Sequence, residues 1–100
     1  MEVSKEIRRA ITTGKVVIGA DKSLKTLKRG HAKLIIVASN CKLEFRADIE
    51  HYARLANVPV YTFDGNSGEL GLACSKPFLV SVLAVAEEGS SNILGLGAHK

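Results

Sequence analysis

The stretch Leu34–Ala38 is an unbroken apolar run, and it constrains the fold more than any other part of the chain. A strand with one face in water alternates apolar and polar residues, so a continuous run indicates a strand that is covered on both faces. Helices must then pack on both sides of the sheet that contains it. We predict that this run is a central strand of a layered α/β sheet.

Other segments of the chain show the patterns of helices and strands in alternation, and the 100 residues fit one domain, 1–100. The other predicted strands are residues 15–19, 58–63 and 78–86. The predicted helices are residues 2–13, a segment from Asp21 as N-cap to Gly30, a segment closed by Asn57, a short helix that follows Asn66, and residues 92–96. The order of the strands is not readable from the sequence.

Three local details accompany these predictions. Gly14 is interpreted as the stop of the first helix. Phe45, Ile49 and Ala53 recur at helical spacing, which predicts that they share the inward face of the third helix. Asn66 and Glu69 are three residues apart, the spacing of a capping box in which each side chain binds the backbone of the other residue.

The junction between the first strand and the second helix is the strongest candidate for a functional site. The apolar run Val16–Ile18 ends at Gly19, Ala20 and Asp21, and a basic helix with Lys22, Lys25 and Lys28 follows. The first amides of a helix have no carbonyl partners and carry partial positive charge, so they can donate to phosphate or base acceptors. Alternatively, Gly19 is a plain tight turn, Asp21 is only a helix cap, and the lysines form a solvated face.

The positive charge of the chain is concentrated in its first third. Residues 1–33 carry nine Lys and Arg against three acids, whereas residues 34–100 carry five bases against seven acids. The corresponding formal charges are +6 and −2, which favours nucleic acid over an uncharged ligand. A merely soluble basic surface is the alternative interpretation.

The sequence contains no signature of an enzyme or a metal site. Gly14–Lys15 resembles the end of a phosphate-binding P-loop, but Arg9 replaces the first glycine and Val16 the Ser or Thr. Cys41 and Cys74 are far apart and are interpreted as reduced thiols, and neither pairs at ligand spacing with the three histidines, His31, His51 and His99. We therefore predict no catalysis, no metal and no cofactor.

Loop residues supply two further candidates. Asn40 follows the central strand, where its amide can either close a turn or read a base edge. Phe78 lies in an apolar run, where core packing is the commoner fate, but the preceding Lys76–Pro77 indicates a rigid and accessible loop tip. An exposed ring at that tip is able to stack on a base.

The order of these motifs resembles the archaeal and eukaryotic family of large-subunit ribosomal protein thirty, within the kink-turn RNA-binding superfamily. The resemblance covers nearly the entire chain, and its motifs are specific only in combination. They are the segments Gly14–Gly19, Lys28–Cys41, Ile49–Ala56, Asn66–Gly71 and Glu88–Leu94. The resemblance implies a three-layer α/β/α sandwich with a four-stranded mixed sheet, and no catalysis.

The same resemblance implies binding to a sharply bent RNA internal loop with sheared G·A pairs. By position, Gly19 and the start of the following helix would approach the RNA, Asn40 would contact a base, Glu69 would support the neighbouring loop, and Phe78 would lie against an exposed nucleotide. Two positions depart from the eukaryotic members of the family, which have lysine where Asp21 stands and arginine where Leu79 stands. Lys22 and Lys76 can supply some of the missing charge.

The resemblance therefore implies a constituent of the large ribosomal subunit that stabilises a kink-turn in ribosomal RNA. The expected partners are that RNA and neighbouring ribosomal proteins, with no membrane, and the expected location is the ribosome in the cytoplasm. The free protein is expected to be a monomer. The alternatives are a kink-turn-binding scaffold of a guide-RNA particle and, from a different class, a small α/β ligand-binding module.

Overall fold

A computed structural model of the protein describes residues 2–98, so His99 lies outside the described residues. Within that range, helices and strands alternate as the sequence predicts. In chain order they are α1 (Val3–Thr13), β1 (Lys15–Ile18), α2 (Ala20–Lys28), β2 (Leu34–Val37), α3 (Leu43–Ala56), β3 (Val60–Thr62), α4 (Ser67–Ala73), β4 (Val82–Glu87) and a 3-10 helix (Ile93–Ala98).

The four strands form one mixed sheet in the order β1-β4-β2-β3. Strand β4 is antiparallel to both of its neighbours, β1 and β2, whereas β2 and β3 run parallel. Strand β2 is thus internal, as its apolar run predicts.

Side chains of β2 alternate between two apolar cores. Leu34 and Ile36 pack in the core that also contains residues of α1, α4 and the 3-10 helix. Ile35 and Val37 pack in the core built with α2 and α3. The sheet therefore lies between two helical layers, which confirms the predicted α/β/α sandwich.

The last predicted strand begins four residues too early. Strand β4 starts at Val82, and residues 78–81 form a loop in which Phe78 and Leu79 are 55% and 72% exposed. The backbone of this loop is held by α4 instead of a strand, since the Val80 N–H donates to Ser67 O at 3.1 Å. A Cβ on Gly71 would lie 2.2 Å from Phe78 O, so the loop and α4 touch backbone to backbone.

The predicted start of the second helix is also wrong, because α2 begins at Ala20 and its N-cap is Gly19. The Ser23 N–H donates to Gly19 O at 2.9 Å, which closes the first helical turn ahead of Asp21. Asp21 consequently lies within the first turn of α2. The third strand is likewise shorter than predicted, because the Val58 N–H turns back to Ala53 O at the end of α3.

Local capping signals are confirmed at two helix ends. Asn57 ends α3 in the left-handed conformation with φ 58°. Asn66 and Glu69 form the predicted capping box, in which the Glu69 N–H donates to Asn66 Oδ1 at 2.9 Å and the Asn66 N–H donates to Glu69 Oε1 at 3.2 Å. Both motifs depend on residues that are close in sequence, which makes them readable from the sequence.

At the end of α1, close packing and not a left-handed backbone conformation requires glycine at position 14. Its φ is −120°, but a Cβ there would lie 2.1 Å from Glu87 O and 2.7 Å from Gly89 N.

We expect Gly14→Ala to lower the free energy of unfolding by about 2 kcal/mol, because it forces the start of β1 away from β4. Urea denaturation measures this loss, and Arg8→Ala on the exposed face of α1 is the control. Equal stability of the two variants would contradict the close contact.

Candidate nucleic-acid interface

An open groove lies beside the junction of β1 and α2, on the side where the loop before β4 approaches. We call it the junction groove, and its volume is about 650 Å³. Its walls come from the end of β1, the start of α2, the first turn of α3 and the loop before β4. The lining residues are Val16, Val17, Ile18, Gly19, Ala20, Lys22, Phe45, Lys76, Phe78, Leu79, Val80 and Ser81.

Gly19 allows the backbone at this junction to turn sharply from strand to helix. Its φ of 114° and ψ of 147° lie in a region that residues with a side chain rarely adopt. A Cβ at Gly19 would have no atom within 4 Å, so the space beside it is open. The close packing that requires glycine at position 14 is therefore absent at position 19. Here backbone conformation requires glycine, and the open space leaves the backbone accessible to a partner.

Two hydrogen bonds fix the direction of α2 at the groove. The Gly19 N–H donates to Val82 O at 2.9 Å and ties the junction to the first residue of β4. Ser23 is completely buried, and its hydroxyl donates to Val17 O at 3.3 Å, which holds the first turn of α2 against β1. The first amides of α2 precede any helical carbonyl acceptor, so this end of the helix carries partial positive charge.

Two lysines extend the positive charge along the groove. Lys22 comes from α2 and Lys76 from the loop that precedes β4, and within residues 2–98 neither forms an ion pair. Asp21 stands beside Lys22 as the acidic residue of the first turn of α2, and the N-cap of that helix is Gly19. The wall is therefore positive at Lys22 and Lys76, with one carboxylate in the adjacent sequence.

Phe78 is presented on a rigid loop tip. Pro77 restricts the backbone that precedes Phe78. The carbonyl of Phe78 contacts Gly71, and this contact fixes the backbone that follows the ring. The ring is exposed although the residue belongs to an apolar run. Phe78 is thus not buried in the core, although core burial is the commoner position for a residue in an apolar run.

Asn40 and Glu69 lie outside the lining of the junction groove and act on the loops around it. Asn40 Oδ1 accepts a hydrogen bond from the Ser67 N–H at 2.8 Å, and Asn40 Nδ2 donates to Ser67 Oγ at 3.4 Å. The Asn40 amide therefore joins the loop after β2 to the start of α4, while the residue itself stays exposed. Glu69 holds the backbone of Asn66 in the capping box.

Lys25 and Lys28 do not line the junction groove. The Lys28 ammonium lies 4.7 Å from the centre of the Tyr52 ring, above α3, where a cation–π contact holds it. The structure therefore groups Gly19, Ala20, Lys22, Lys76 and Phe78 at one groove. The other predicted site residues lie outside its lining: Asp21, Lys25, Lys28, Asn40 and Glu69.

Phe45 lines the groove but was not among the predicted site residues. Its spacing to Ile49 predicts an inward position, yet it is 40% exposed whereas Ile49 is 1% exposed. Phe45 is in the first turn of α3, where Leu43 is 80% exposed, and its ring lines the open junction groove. A local periodicity cannot reveal that a groove, and not the core, lies beside an apolar ring.

Other kinds of site have little support in residues 2–98. Burial raises the pKa of the Cys74 thiol to about 11 and also raises that of Cys41, so both free thiols stay protonated near pH 7. No group of three His, Cys, Asp or Glu that could hold a metal occurs in this range. None of the helices between residues 2 and 98 is long and apolar enough for a membrane span.

The chain is similar to known proteins over nearly all its length. The large ribosomal subunit protein eL30 of Methanosphaera stadtmanae is 49% identical over 94% of this chain and 96% of its own length. The eL30 proteins of Methanopyrus kandleri and Methanocaldococcus jannaschii are 46% and 45% identical, over 93% and 100% of this chain and 85% and 91% of their own lengths. These relatives are ribosomal proteins rather than enzymes, as the sequence predicts.

A solved structure with low sequence identity shares the fold. It is described as a protein with unknown function from Bacillus halodurans. The match covers 94% of this chain and 93% of the Bacillus chain, with a TM-score of 0.83 and 21% sequence identity. The model of the ribosomal protein L7Ae/L30e/S12e/Gadd45 family matches residues 1–95. With a match of that extent, the predicted resemblance is confirmed, and the chain belongs to the ribosomal protein L7Ae/L30e/S12e/Gadd45 family.

Proposed function

We propose that this protein is a structural constituent of the large ribosomal subunit, and that it binds and stabilises a kink-turn in ribosomal RNA. Its relatives of similar length are named large ribosomal subunit proteins, which supports the first part. The second part rests on the junction groove. Neighbouring ribosomal proteins complete the expected set of partners.

The observation that carries the RNA-binding proposal is the geometry at Gly19. An open, glycine-only backbone meets the positive end of α2 in a groove that also contains a cation and an exposed aromatic ring. Phosphate requires donors and positive charge, and an unstacked base requires a flat apolar surface and polar edges. One groove offers all of these within a single rigid frame.

The proposed mechanism is selection of a bent RNA shape. A sharp bend concentrates phosphates, whose mutual repulsion disfavours the bent form in the free RNA. Lys22, Lys76 and the first amides of α2 neutralise that charge, while Phe78 stacks on a base that the bend has released from its neighbours. Phe45 lines the same groove. The protein then binds the bent state more tightly than the straight one and shifts the population toward it.

Asn40 and Glu69 have supporting roles in this proposal. Asn40 keeps one amide hydrogen free for an RNA base while its oxygen holds the start of α4. Glu69 stiffens the turn before α4, and α4 in turn carries the loop of Phe78. Rigid loops lose little conformational freedom on binding, so more of the contact energy becomes affinity.

Binding to a kink-turn RNA and to a straight duplex of matched length and composition tests the proposal directly. We expect about tenfold or greater preference for the kink-turn at moderate ionic strength, measured by fluorescence anisotropy. Equal affinity for the two RNAs would refute shape selection. Sequencing of RNA crosslinked to the protein in cells then separates a ribosomal target from a guide-RNA target.

Phe78→Ala tests the stacking contact. Because the ring is mostly exposed, we expect the folded protein to keep its thermal stability and to lose about 1–3 kcal/mol of binding free energy for the kink-turn RNA. Leu55→Ala, at an exposed apolar position on α3, is the matched control and is expected to bind normally. Unchanged RNA affinity of Phe78→Ala at fixed salt would remove the ring from the interface.

Salt dependence tests the lysines. Neutralising Lys22, Lys25 and Lys28 together is expected to weaken RNA binding and to flatten its dependence on salt, because fewer counterions are released. Among single variants, Lys22→Gln is expected to lower the salt slope by about one, and Lys28→Gln by less, since Lys28 is held over Tyr52. The measurement is affinity across a salt series. An identical slope in the triple variant and the unsubstituted protein would exclude the helix from the phosphate contacts.

A further inference from the structure

The edge of the sheet opposite β1 forms a second groove that shares no lining residue with the junction groove. We call it the β3 groove, and its volume is about 520 Å³. Strand β3 forms its floor, α3 one wall, and Leu96 of the 3-10 helix contributes to the other. The lining residues that matter here are Arg46, Glu50 and Arg54 of α3, and Val60 and Thr62 of β3.

Along this groove, strand β3 has N–H and C=O groups that have no backbone hydrogen-bond partner among residues 2–98. The Ile35 N–H donates to Pro59 O at 3.0 Å, and the Phe63 N–H donates to Val37 O at 2.7 Å, so residues 59, 61 and 63 face β2. In a parallel pair, alternate residues direct their N–H and C=O groups to opposite sides. The N–H and C=O groups of Val60 and Thr62 therefore lie in the plane of the sheet and point away from β2, toward the free edge. In the described part of the chain, β3 has β2 as its one neighbour in the sheet.

Charged side chains from α3 stand over the same strand. Arg46 donates to Glu50 Oε1 at 2.9 Å and to Thr62 Oγ1 at 2.6 Å, so its position is fixed and its charge is matched by Glu50. Arg54 is exposed and has no ion pair within residues 2–98. The groove therefore retains the positive charge of Arg54 beside the outward N–H and C=O groups of Val60 and Thr62.

We propose that the β3 groove binds an extended, acidic polypeptide segment of another protein, which adds to the sheet as a further strand. A polypeptide offers alternating N–H and C=O groups that match those of Val60 and Thr62. An acidic side chain on the segment meets Arg54.

Neither a second copy of this chain nor an RNA strand fits the groove as well. Antiparallel pairing of β3 with its own copy, about a two-fold axis perpendicular to the sheet, would bring the two Arg54 side chains to the same face of the new strand pair, where like charges repel. The phosphate groups of an RNA strand cannot donate to the outward carbonyls of Val60 and Thr62, and its 2′-hydroxyl groups lack the alternating N–H and C=O pattern of a polypeptide. Charge and hydrogen bonding together favour an acidic strand.

A pair of short peptides tests the proposal on the whole protein. The probe is the fluorescent peptide acetyl-Thr-Val-Glu-Val-Glu-Val-Thr-amide, and its control has Lys in place of both Glu. We expect the acidic peptide to bind about tenfold or more tightly than the basic one in fluorescence anisotropy. In NMR, we expect its addition to slow hydrogen exchange at the amides of Val60 and Thr62. Equal binding of the two peptides, lack of saturable binding, or protection at other amides instead would overturn the proposal.

Two further comparisons separate strand addition from simple charge attraction. Arg54→Glu is expected to reverse the preference between the two peptides, whereas Arg8→Glu, an exposed arginine on α1, is expected to leave it unchanged. An acidic peptide with N-methyl groups at alternate residues keeps the charge but loses backbone donors, and it is expected to bind about tenfold more weakly. Full binding of the N-methylated peptide would exclude strand addition.

Discussion

The packing of two helical layers on strand β2 is the interaction on which the remaining structure depends. All four residues of β2 are fully buried, and successive side chains enter opposite cores. Burial of each such side chain contributes about 1.5–3 kcal/mol. A shift of one residue would exchange the two sets of side chains between cores of different shape, so β2 fixes the register of the whole sheet.

The junction groove follows from that register. Strand β4 pairs with β2 and β1 at the same time, so the loop that enters β4 and the turn that leaves β1 are brought side by side. The bond from Gly19 to Val82 and the contact of Gly71 with Phe78 then hold both walls in place. A cationic helix end and an aromatic loop tip meet there because β1 ends where its antiparallel neighbour β4 begins.

The two grooves differ in chemistry because they occupy different positions in the sheet. At the junction groove, the sheet has given way to a helix end, and the available groups are amides, ammonium groups and rings. At β3, the sheet stops at an edge, and the available groups are unpaired peptide N–H and C=O beside an arginine. The first set suits a folded polyanion, and the second suits an extended acidic chain.

The sequence by itself determined the features that depend on local contacts and continuous burial. The apolar run of β2 predicts two helical layers, the Asn66–Glu69 spacing predicts the capping box, and Asn57 predicts the end of α3. The resemblance to a known family added the four-stranded mixed sheet. It also predicted a ribosomal protein without catalysis, which agrees with the names of the similar proteins.

Only the tertiary structure decided the strand order, the start of β4 at Val82, the exposure of Phe45 and the separation of Lys28 from Lys22. Each of these depends on what lies opposite a residue in space. Hydrophobicity assigns Phe78 to a strand, but contact with α4 removes it from the sheet. Periodicity assigns Phe45 to the core, but its ring lines the open junction groove. Local patterns report a residue's neighbours along the chain, whereas a groove is made by residues that are distant in sequence.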